Sequence, residues 1–231
     1  MLSDVNINTK SLKQINQNIQ KYSNNPKEVK LIVVTKTFSH KSINSALENN
    51  IYDIGENKIQ EFILKEPKIK KTDKLITHFI GKIQSNKVKK IVSNFDIIHS
   101  VDRIKILNKI NDIATSQNKK QKILLQVNIS NSKSQSGFNK NEILKISNYA
   151  TKLLNVKLIG LMCIASNTKD KKKISEDFKN IKKIQKRIQK TINKNCRHLS
   201  MGMSGDYKEA LKNGSTFIRI GTKLFKQRNE K

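Results

Sequence analysis

The alternation of strand-like and helix-like segments constrains the fold of this chain more than any other feature. Eight short segments are strand-like, the first of them apolar and β-branched as in a buried strand, and segments with apolar residues at helical spacing separate them. The predicted strands are 31–35, 53–56, 76–81, 97–101, 123–129, 156–164, 198–202 and 217–221. The predicted helices between them are 40–49, 58–66, 86–93, 102–117, 140–154, 173–193 and 206–213.

Regular strand–helix alternation indicates an α/β fold with a parallel sheet. Eight consecutive units without a boundary linker predict that the sheet closes into a single (β/α)8 barrel of the TIM type. A doubly wound open sheet is the alternative, but no G-x-G-x-x-G pattern follows the first strand. Leu12, Ile15 and Ile19 recur at helical spacing and predict a preceding helix. We expect one domain over residues 1–231, with the helix within 1–25 and the barrel over 31–225.

The charge of the chain is strongly positive, and the type of basic residue that supplies it bears on the class of partner. The 47 basic and 18 acidic residues give a formal net charge of +29, a value seen in nucleic-acid binders. Only five of the basic residues are arginine, whereas a surface that reads bases favours the bidentate arginine side chain. Aromatic residues, on which bases stack, make up 5% of the chain. We therefore expect no specific nucleic-acid partner.

The cysteine content and the hydropathy indicate where such a chain resides. Cys163 and Cys196 are too few and too far apart for a disulfide framework or a zinc site, and no His/Cys spacing predicts a metal. No apolar run reaches the length of a membrane span, and the N-terminal residues lack the apolar core of a signal peptide. We expect a soluble, cytoplasmic protein without membrane association.

Candidate site residues lie at the carboxyl ends of predicted strands, where barrels of this kind place their active sites. Period-two alternation puts Ile32, Val34 and Lys36 on one face of the first strand. If this face is the barrel interior, Lys36 emerges at the mouth from apolar surroundings, where burial lowers an amine pKa and favours attack on a carbonyl group. A solvated lysine at a strand end is the alternative.

The last two strands predict an anion site. Ser204-Gly205 and Gly221-Thr222 are small, hydroxyl-bearing pairs that follow the seventh and eighth strands, the position where barrels often bind phosphate. Ser204-Gly205 could also open a helix, whose N-terminus favours anions. Arg219, in the eighth strand, is surrounded in sequence by apolar and small residues, so it forms either a structural ion pair or part of the site.

Several stretches together resemble the YggS-type pyridoxal phosphate homeostasis protein family. They run in order from about residue 31 to 225, and the most specific are HFIGKIQSNK, LSMGMSGD and FIRIGT, accompanied by VTKT, DIGENKIQE and IHSVD. The resemblance implies a barrel like that of the N-terminal domain of alanine racemase. It also implies pyridoxal 5′-phosphate as the bound cofactor.

The resemblance assigns roles to residues at matching positions. It places the Schiff-base lysine at Lys36, the asparagine of the GEN motif at Asn57 beside the cofactor ring, and the arginine facing the pyridine nitrogen at Arg219. The phosphate cup it implies consists of Ser204, Gly205, Gly221 and Thr222. Family members usually carry SKSG where this chain has SQSG at 134–137, so Gln135 replaces a lysine.

Two functions are compatible with this resemblance. The first is a cytoplasmic protein that holds pyridoxal phosphate as a lysine aldimine and takes part in vitamin B6 homeostasis, without robust catalysis. Apo-enzymes that use the cofactor are then candidate partners. The alternative is an amino-acid racemase-like enzyme, which needs a second base on the opposite face of the ligand. Only ten residues follow Gly221, so we expect no further domain to supply that base.

Overall fold

Eight parallel strands form a closed ring in the computed structural model, which describes residues 3–132 and 135–225. Each strand pairs with the next one along the chain, and the last pairs with the first, in the register that sets Ile32 beside Arg219. The strands are β1 (Lys30–Val34), β2 (Asp53–Glu56), β3 (Ile76–Phe79), β4 (Ile97–Val101), β5 (Gln121–Asn128), β6 (Val156–Cys163), β7 (His198–Ser200) and β8 (Phe217–Ile220). A two-residue strand, Phe138–Asn139, pairs with β5 outside the ring. The predicted α/β barrel is confirmed.

Helices connect successive strands and cover the outside of the ring. They are α1 (Thr9–Tyr22), α2 (His40–Glu48), α3 (Ile59–Lys65), α4 (Val88–Asn94), α5 (Ile104–Ser116), α6 (Ile143–Thr151), α7 (Lys171–Thr191) and α8 (Tyr207–Lys212). All eight predicted strands and all seven predicted connecting helices are present, with ends that differ by a few residues. Some predicted strands extend past the C-terminal ends of the observed strands. The reason is that Ile80, Gly81 and Ile164 continue the apolar run beyond the hydrogen-bonded strand residues and line the barrel mouth.

The alternation along β1 separates two apolar layers. Ile32 points into the ring, where it packs in one cluster with Leu124 and Phe217. Leu31 and Val33 point outward into a second cluster that contains Ile15 of α1. Successive strand residues face opposite sides of a sheet. The residue two positions after Ile32 therefore also faces inward, and it lies closer to the mouth of the barrel.

The predicted N-terminal helix is α1, and it packs on the same side of the ring as β1 and β8. Asn8 caps its N-terminus by accepting a hydrogen bond from the Ser11 backbone N–H at 2.9 Å. Its Leu12, Ile15 and Ile19 are buried, and Asn18 Nδ2 donates to Tyr207 Oη on α8 at 2.7 Å. That the whole chain, residues 1–231, forms one domain stays a prediction.

The longest helix, α7, shows the amphipathic pattern predicted from its sequence. Ile174, Phe178, Ile181 and Ile188 are buried, and lysines occupy most of the opposite face. Within the described residues, no helix combines the length and the apolar character that crossing a bilayer requires.

Candidate functional site

A cavity of about 410 Å³ opens at the carboxyl ends of β1, β2, β7 and β8. Its volume falls within the range typical of sites for small molecules and cofactors. Seven of its lining residues are those singled out from the sequence: Lys36, Asn57, Ser204, Gly205, Arg219, Gly221 and Thr222. The structure therefore brings all of the predicted site residues to one cavity, whereas their roles towards a ligand stay predictions. The remaining lining is mostly apolar: Val34, Ile80, Gly81, Met162, Ile164 and Met203.

Lys36 is the first residue of the turn that leaves β1, and its side chain is half-buried at the cavity wall. Hydrogen bonds hold the backbone on both sides of it: the Thr35 N–H donates to the Gly55 carbonyl at 3.1 Å, and the Thr37 N–H donates to Glu61 Oε2 at 3.0 Å. Thr37 has a φ of 70°, a conformation that a β-branched residue adopts only when its surroundings impose it. The turn therefore fixes the position of the Lys36 backbone, from which the side chain extends to its amine.

Behind this turn lies a buried ion pair that no sequence pattern indicated. Lys65 Nζ lies 2.6 Å from Glu56 Oε1 and also donates to the Thr35 carbonyl at 2.9 Å. Thr35 Oγ1 donates to the same Glu56 oxygen at 2.7 Å. Burial raises the pKa of the Glu56 carboxyl, and the neighbouring Lys65 ammonium opposes that effect. The cluster ties the ends of β1 and β2 to α3, immediately next to Lys36 in the chain.

Arg219 points from β8 into the cavity, with only 5% of its surface exposed. Its Nη1 donates to Ser200 Oγ at 2.6 Å and its Nη2 donates to the Cys163 carbonyl at 3.0 Å. Burial lowers the pKa of the guanidinium, which nevertheless keeps its charge at neutral pH. Among the residues described, no carboxylate forms an ion pair with it, so the structural ion pair left open by the sequence is not observed. A fixed positive charge therefore faces the cavity.

The two predicted anion-binding pairs lie in neighbouring turns. The Lys223 N–H donates to Ser204 Oγ at 3.4 Å, which joins the turn after β8 to the turn after β7. Ser204-Gly205 lie in the turn that leads directly into α8, which begins at Tyr207. Across this turn, the Met203 carbonyl accepts hydrogen bonds from the backbone N–H groups of Asp206 and Tyr207. Gly221 begins the other turn and accepts from the Leu224 N–H at 2.9 Å.

Two features indicate that the cavity has room and polar groups for a bound cofactor. Asn57 Oδ1 is buried and has no hydrogen-bond partner within the described part of the chain, although buried polar atoms are normally paired. A Cβ atom built on Gly205 would meet no atom within 4 Å, so this glycine leaves open space beside the turn. No sequence pattern singled out Gly81, whose missing Cβ lets its backbone pack directly on the Asn57 carbonyl.

A second cavity, of about 520 Å³, adjoins the first and shares Ile164, Met203 and Gly205 with it. Gln135 of the SQSG stretch lines this second cavity rather than the first. Its side chain accepts from Ser130 Oγ at 2.9 Å and donates to the Ala165 carbonyl at 3.2 Å. Gln135 therefore joins the loop after β5 to the segment after β6.

The described residues contain no group of three or more histidine, cysteine or acidic side chains arranged to hold a metal ion. The residues that line the cavity supply an amine, a guanidinium, an amide, hydroxyl groups and backbone N–H groups. This set matches an anionic ligand that also carries a carbonyl group, because the amine can attack the carbonyl while the turns and the arginine accommodate negative charge.

Comparisons with known proteins agree with this architecture. A family model described as the alanine racemase N-terminal domain matches residues 10–229. The pyridoxal phosphate homeostasis protein of Synechocystis is 38% identical over 204 residues, covering 88% of this chain and 93% of that protein. The pyridoxal phosphate homeostasis protein of Vibrio alginolyticus is 34% identical over 219 residues, covering 94% of each.

Solved structures show the same likeness. PipY of Synechococcus elongatus without pyridoxal phosphate superposes with a TM-score of 0.86 at 30% identity, covering 94% of this chain and 98% of that one. The form of PipY with pyridoxal phosphate bound gives a TM-score of 0.81 at 30% identity, with 91% and 99% covered. The chain therefore belongs to the pyridoxal phosphate homeostasis protein family, whose barrel is that of the alanine racemase N-terminal domain.

Proposed function

We propose that this protein binds pyridoxal 5′-phosphate at the barrel mouth and takes part in the homeostasis of that cofactor. One observation carries the proposal: a single cavity gathers the Lys36 amine, the buried Arg219 guanidinium and the two small-residue turns after β7 and β8. Relatives that bear the name pyridoxal phosphate homeostasis protein, and PipY with the cofactor bound, support it.

Lys36 is the residue that we propose to link the cofactor covalently. When bound, pyridoxal phosphate supplies an aldehyde, which condenses with an amine, and a pyridine ring that withdraws electrons. Lys36 extends from a hydrogen-bonded turn into the cavity, so its amine reaches the ligand from a defined direction. Lys65, the buried lysine nearby, is committed to Glu56 and to the Thr35 carbonyl.

The two turns provide the proposed phosphate cup. Ser204 and Thr222 bring hydroxyl groups, and Gly205 and Gly221 leave the backbone accessible to an anion. Arg219 would face the pyridine nitrogen, and Asn57, with its unpaired oxygen, would lie beside the ring. A fixed cation beside that nitrogen disfavours its protonation, which makes the ring a weaker electron acceptor.

The composition of the cavity favours a binding role over the racemase alternative. Of the described lining residues, only Lys36 and Arg219 carry ionisable side chains. Racemisation requires a proton to be removed from one face of the substrate and returned to the other, and so needs two positioned acid/base groups. Arg219 is a poor base because its guanidinium stays protonated. We therefore propose a protein that holds the cofactor without robust turnover.

The proposal extends to the partners and location of the protein. A bound cofactor that is held but not consumed is available for transfer, so apo-enzymes that require pyridoxal phosphate are the proposed recipients. We propose the cytoplasm as the location, in keeping with the free, buried thiols of Cys163 and Cys196, since disulfides are rare in reducing compartments.

The proposal is tested by titrating the purified protein with pyridoxal 5′-phosphate and recording the visible absorption spectrum. We expect a saturable band, distinct from that of the free aldehyde, at one cofactor per chain. Lys36→Ala should abolish the band. Lys58→Ala should preserve it, because Lys58 is an exposed lysine near the mouth that pairs with Glu61. A spectrum that stays equal to the sum of its components would contradict the proposal.

A further inference from the structure

A continuous chain of polar side chains crosses the interior of the barrel behind Arg219. Ser200 Oγ, which accepts from Arg219 Nη1, lies 2.8 Å from His99 Nδ1. His99 Nε2 lies 2.9 Å from His78 Nδ1, and His78 Nε2 lies 3.0 Å from Asp53 Oδ1. The chain links five side chains from β2, β3, β4, β7 and β8, and it connects the start of β2 to the cavity.

The two ends of this chain give it a direction. A guanidinium has only donors, and a carboxylate has only acceptors. His78 must therefore donate from Nε2 to Asp53, and a neutral His78 then accepts at Nδ1 from His99 Nε2–H. His99 in turn accepts at Nδ1 from the Ser200 hydroxyl, whose oxygen is left to accept from Arg219. Each of the four links then joins one donor to one acceptor, with both histidines neutral and protonated at Nε2.

The reverse direction has two costs. It requires His78 to be a cation, because His78 would donate at both nitrogens. It also gives Ser200 Oγ two donors, Arg219 and His99, and leaves the hydroxyl proton without an acceptor among the partners that the structure describes. Both histidine rings are inaccessible to water, and the apolar ring of Phe217 packs against each, with centroids 5.6 and 5.3 Å away. Burial, together with the positive charge of Arg219, holds the pKa of His99 well below its usual value, which favours the neutral form.

We propose that Ser200 is a positioning residue that orients the Arg219 guanidinium, and that the chain through His99 and His78 to Asp53 keeps the Ser200 hydroxyl oxygen turned towards Arg219. The inference rests on the proposed function, in which Arg219 faces the pyridine nitrogen of the cofactor. A hydroxyl group can donate or accept a hydrogen bond, so Ser200 alone could rotate and turn its proton towards Arg219. Because the Ser200 hydroxyl donates its proton to His99, its oxygen lone pair stays directed towards Arg219.

The direction of the chain is measurable without any cofactor. In protein labelled with ¹⁵N at histidine, long-range proton–nitrogen correlation spectra distinguish the protonated from the unprotonated ring nitrogen. Spectra of His78→Gln and His99→Gln variants assign the signals. We expect both rings to be neutral and to carry the proton at Nε2. A proton on His99 Nδ1, or protons on both nitrogens of His78, would overturn the inference.

The effect on the ligand is tested with two serine variants and two ligands. Ser200→Ala should lower the affinity for pyridoxal 5′-phosphate roughly two- to tenfold, the equivalent of one net hydrogen bond. Affinity for 1-deazapyridoxal 5′-phosphate, which has no ring nitrogen, should change less than twofold. Ser215→Ala is the matched control, because Ser215 is also buried and donates to a carbonyl, that of Met201 at 2.7 Å, but is not part of the chain.

The outcomes separate this inference from the proposed function. If the unmodified protein does not bind pyridoxal phosphate, the proposed function fails, and the histidine spectra still decide the direction of the chain. If binding is normal but Ser200→Ala weakens both ligands by the same factor, or acts no differently from Ser215→Ala, the positioning role of Ser200 is wrong while the proposed function stands.

Discussion

Lys65 and Glu56 form an ion pair withdrawn from water, with exposed side-chain fractions of 1% and 0%, and the Lys65 ammonium also bonds the carbonyl of the residue that precedes Lys36. Two buried charges attract strongly, but both have lost their hydration, so such a pair adds little net stability and is costly to break. The Lys65 ammonium therefore holds the strand end that carries Lys36. Its bond to the backbone carbonyl is buried, so water is not at hand to replace either group.

Lys65→Met should lower the free energy of unfolding by about 3–5 kcal/mol, because it leaves the Glu56 carboxylate buried without its counter-ion. Lys70→Met is the control: Lys70 pairs with Glu48 at the surface, and such exposed pairs contribute at most about 1 kcal/mol. Urea denaturation at neutral pH measures both variants. Equal effects of the two substitutions would show that burial of an ion pair does not determine how much unfolding free energy is lost when the pair is broken.

Lys36 should be the lysine to which the cofactor is covalently attached after borohydride reduction. Borohydride treatment of the loaded protein, followed by peptide mass mapping, should find the phosphopyridoxyl group on Lys36, because only this lysine lines the cavity among the described residues. The chain has 42 lysines, so random labelling would spread over many peptides. The Lys36→Ala variant supplies the background level, and label concentrated on another lysine would refute the assignment.

Thr222→Val should weaken the binding of pyridoxal 5′-phosphate by about 1.5–3 kcal/mol, roughly tenfold to a hundredfold, because it removes a hydroxyl donor from a charged phosphate. The binding of pyridoxal, which lacks the phosphate, should change little. Isothermal titration with both ligands tests this difference. A similar loss for both would place the phosphate away from the Gly221-Thr222 turn.

The buried histidine should make folding sensitive to mild acid. The pKa of His99 is lowered by burial, so the unfolded chain binds a proton at this residue more readily than the folded one. Its contribution is fully present above the unfolded pKa of about 6.5 and is lost as pH falls from there towards the folded pKa.

Across that interval, the pH dependence of unfolding free energy should be shallower in His99→Gln than in the unmodified protein, by up to about 1.4 kcal/mol per pH unit. Urea denaturation at a series of pH values from 7.5 down to about 5 gives both slopes, with 6.5 as the ordinary value for histidine. The comparison uses slopes, so a constant cost of the substitution does not affect it. Parallel curves would mean that His99 does not titrate differently on folding.

Amino-acid turnover should be slight. With Lys36 as the one acid/base group of the described lining, the loaded protein in deuterium oxide should exchange the Cα proton of L-alanine slowly and form no D-alanine. Mass spectrometry follows exchange and chiral chromatography follows the D-isomer. Rapid D-alanine formation that disappears in Lys36→Ala would assign the protein to the racemases.

The sequence by itself determined the fold and the position of the candidate site. Apolar periodicity is a local property, and eight alternating units have few ways to bury both faces of a parallel sheet, so the barrel follows from the pattern along the chain. Lys36, Arg219 and the two small-residue turns stand at strand ends, which the barrel brings to one face.

Only the tertiary structure decided which polar side chains meet inside the barrel. His99 and Ser200 are 101 positions apart, and Lys65 reaches Glu56 from the next helix, so no local pattern relates either pair. Strand register, side-chain direction and burial determine these contacts, and all three depend on packing between distant segments. The surroundings also determine the charge and the hydrogen-bond direction of a buried group, which is why the sequence located Arg219 but not the chain of residues behind it.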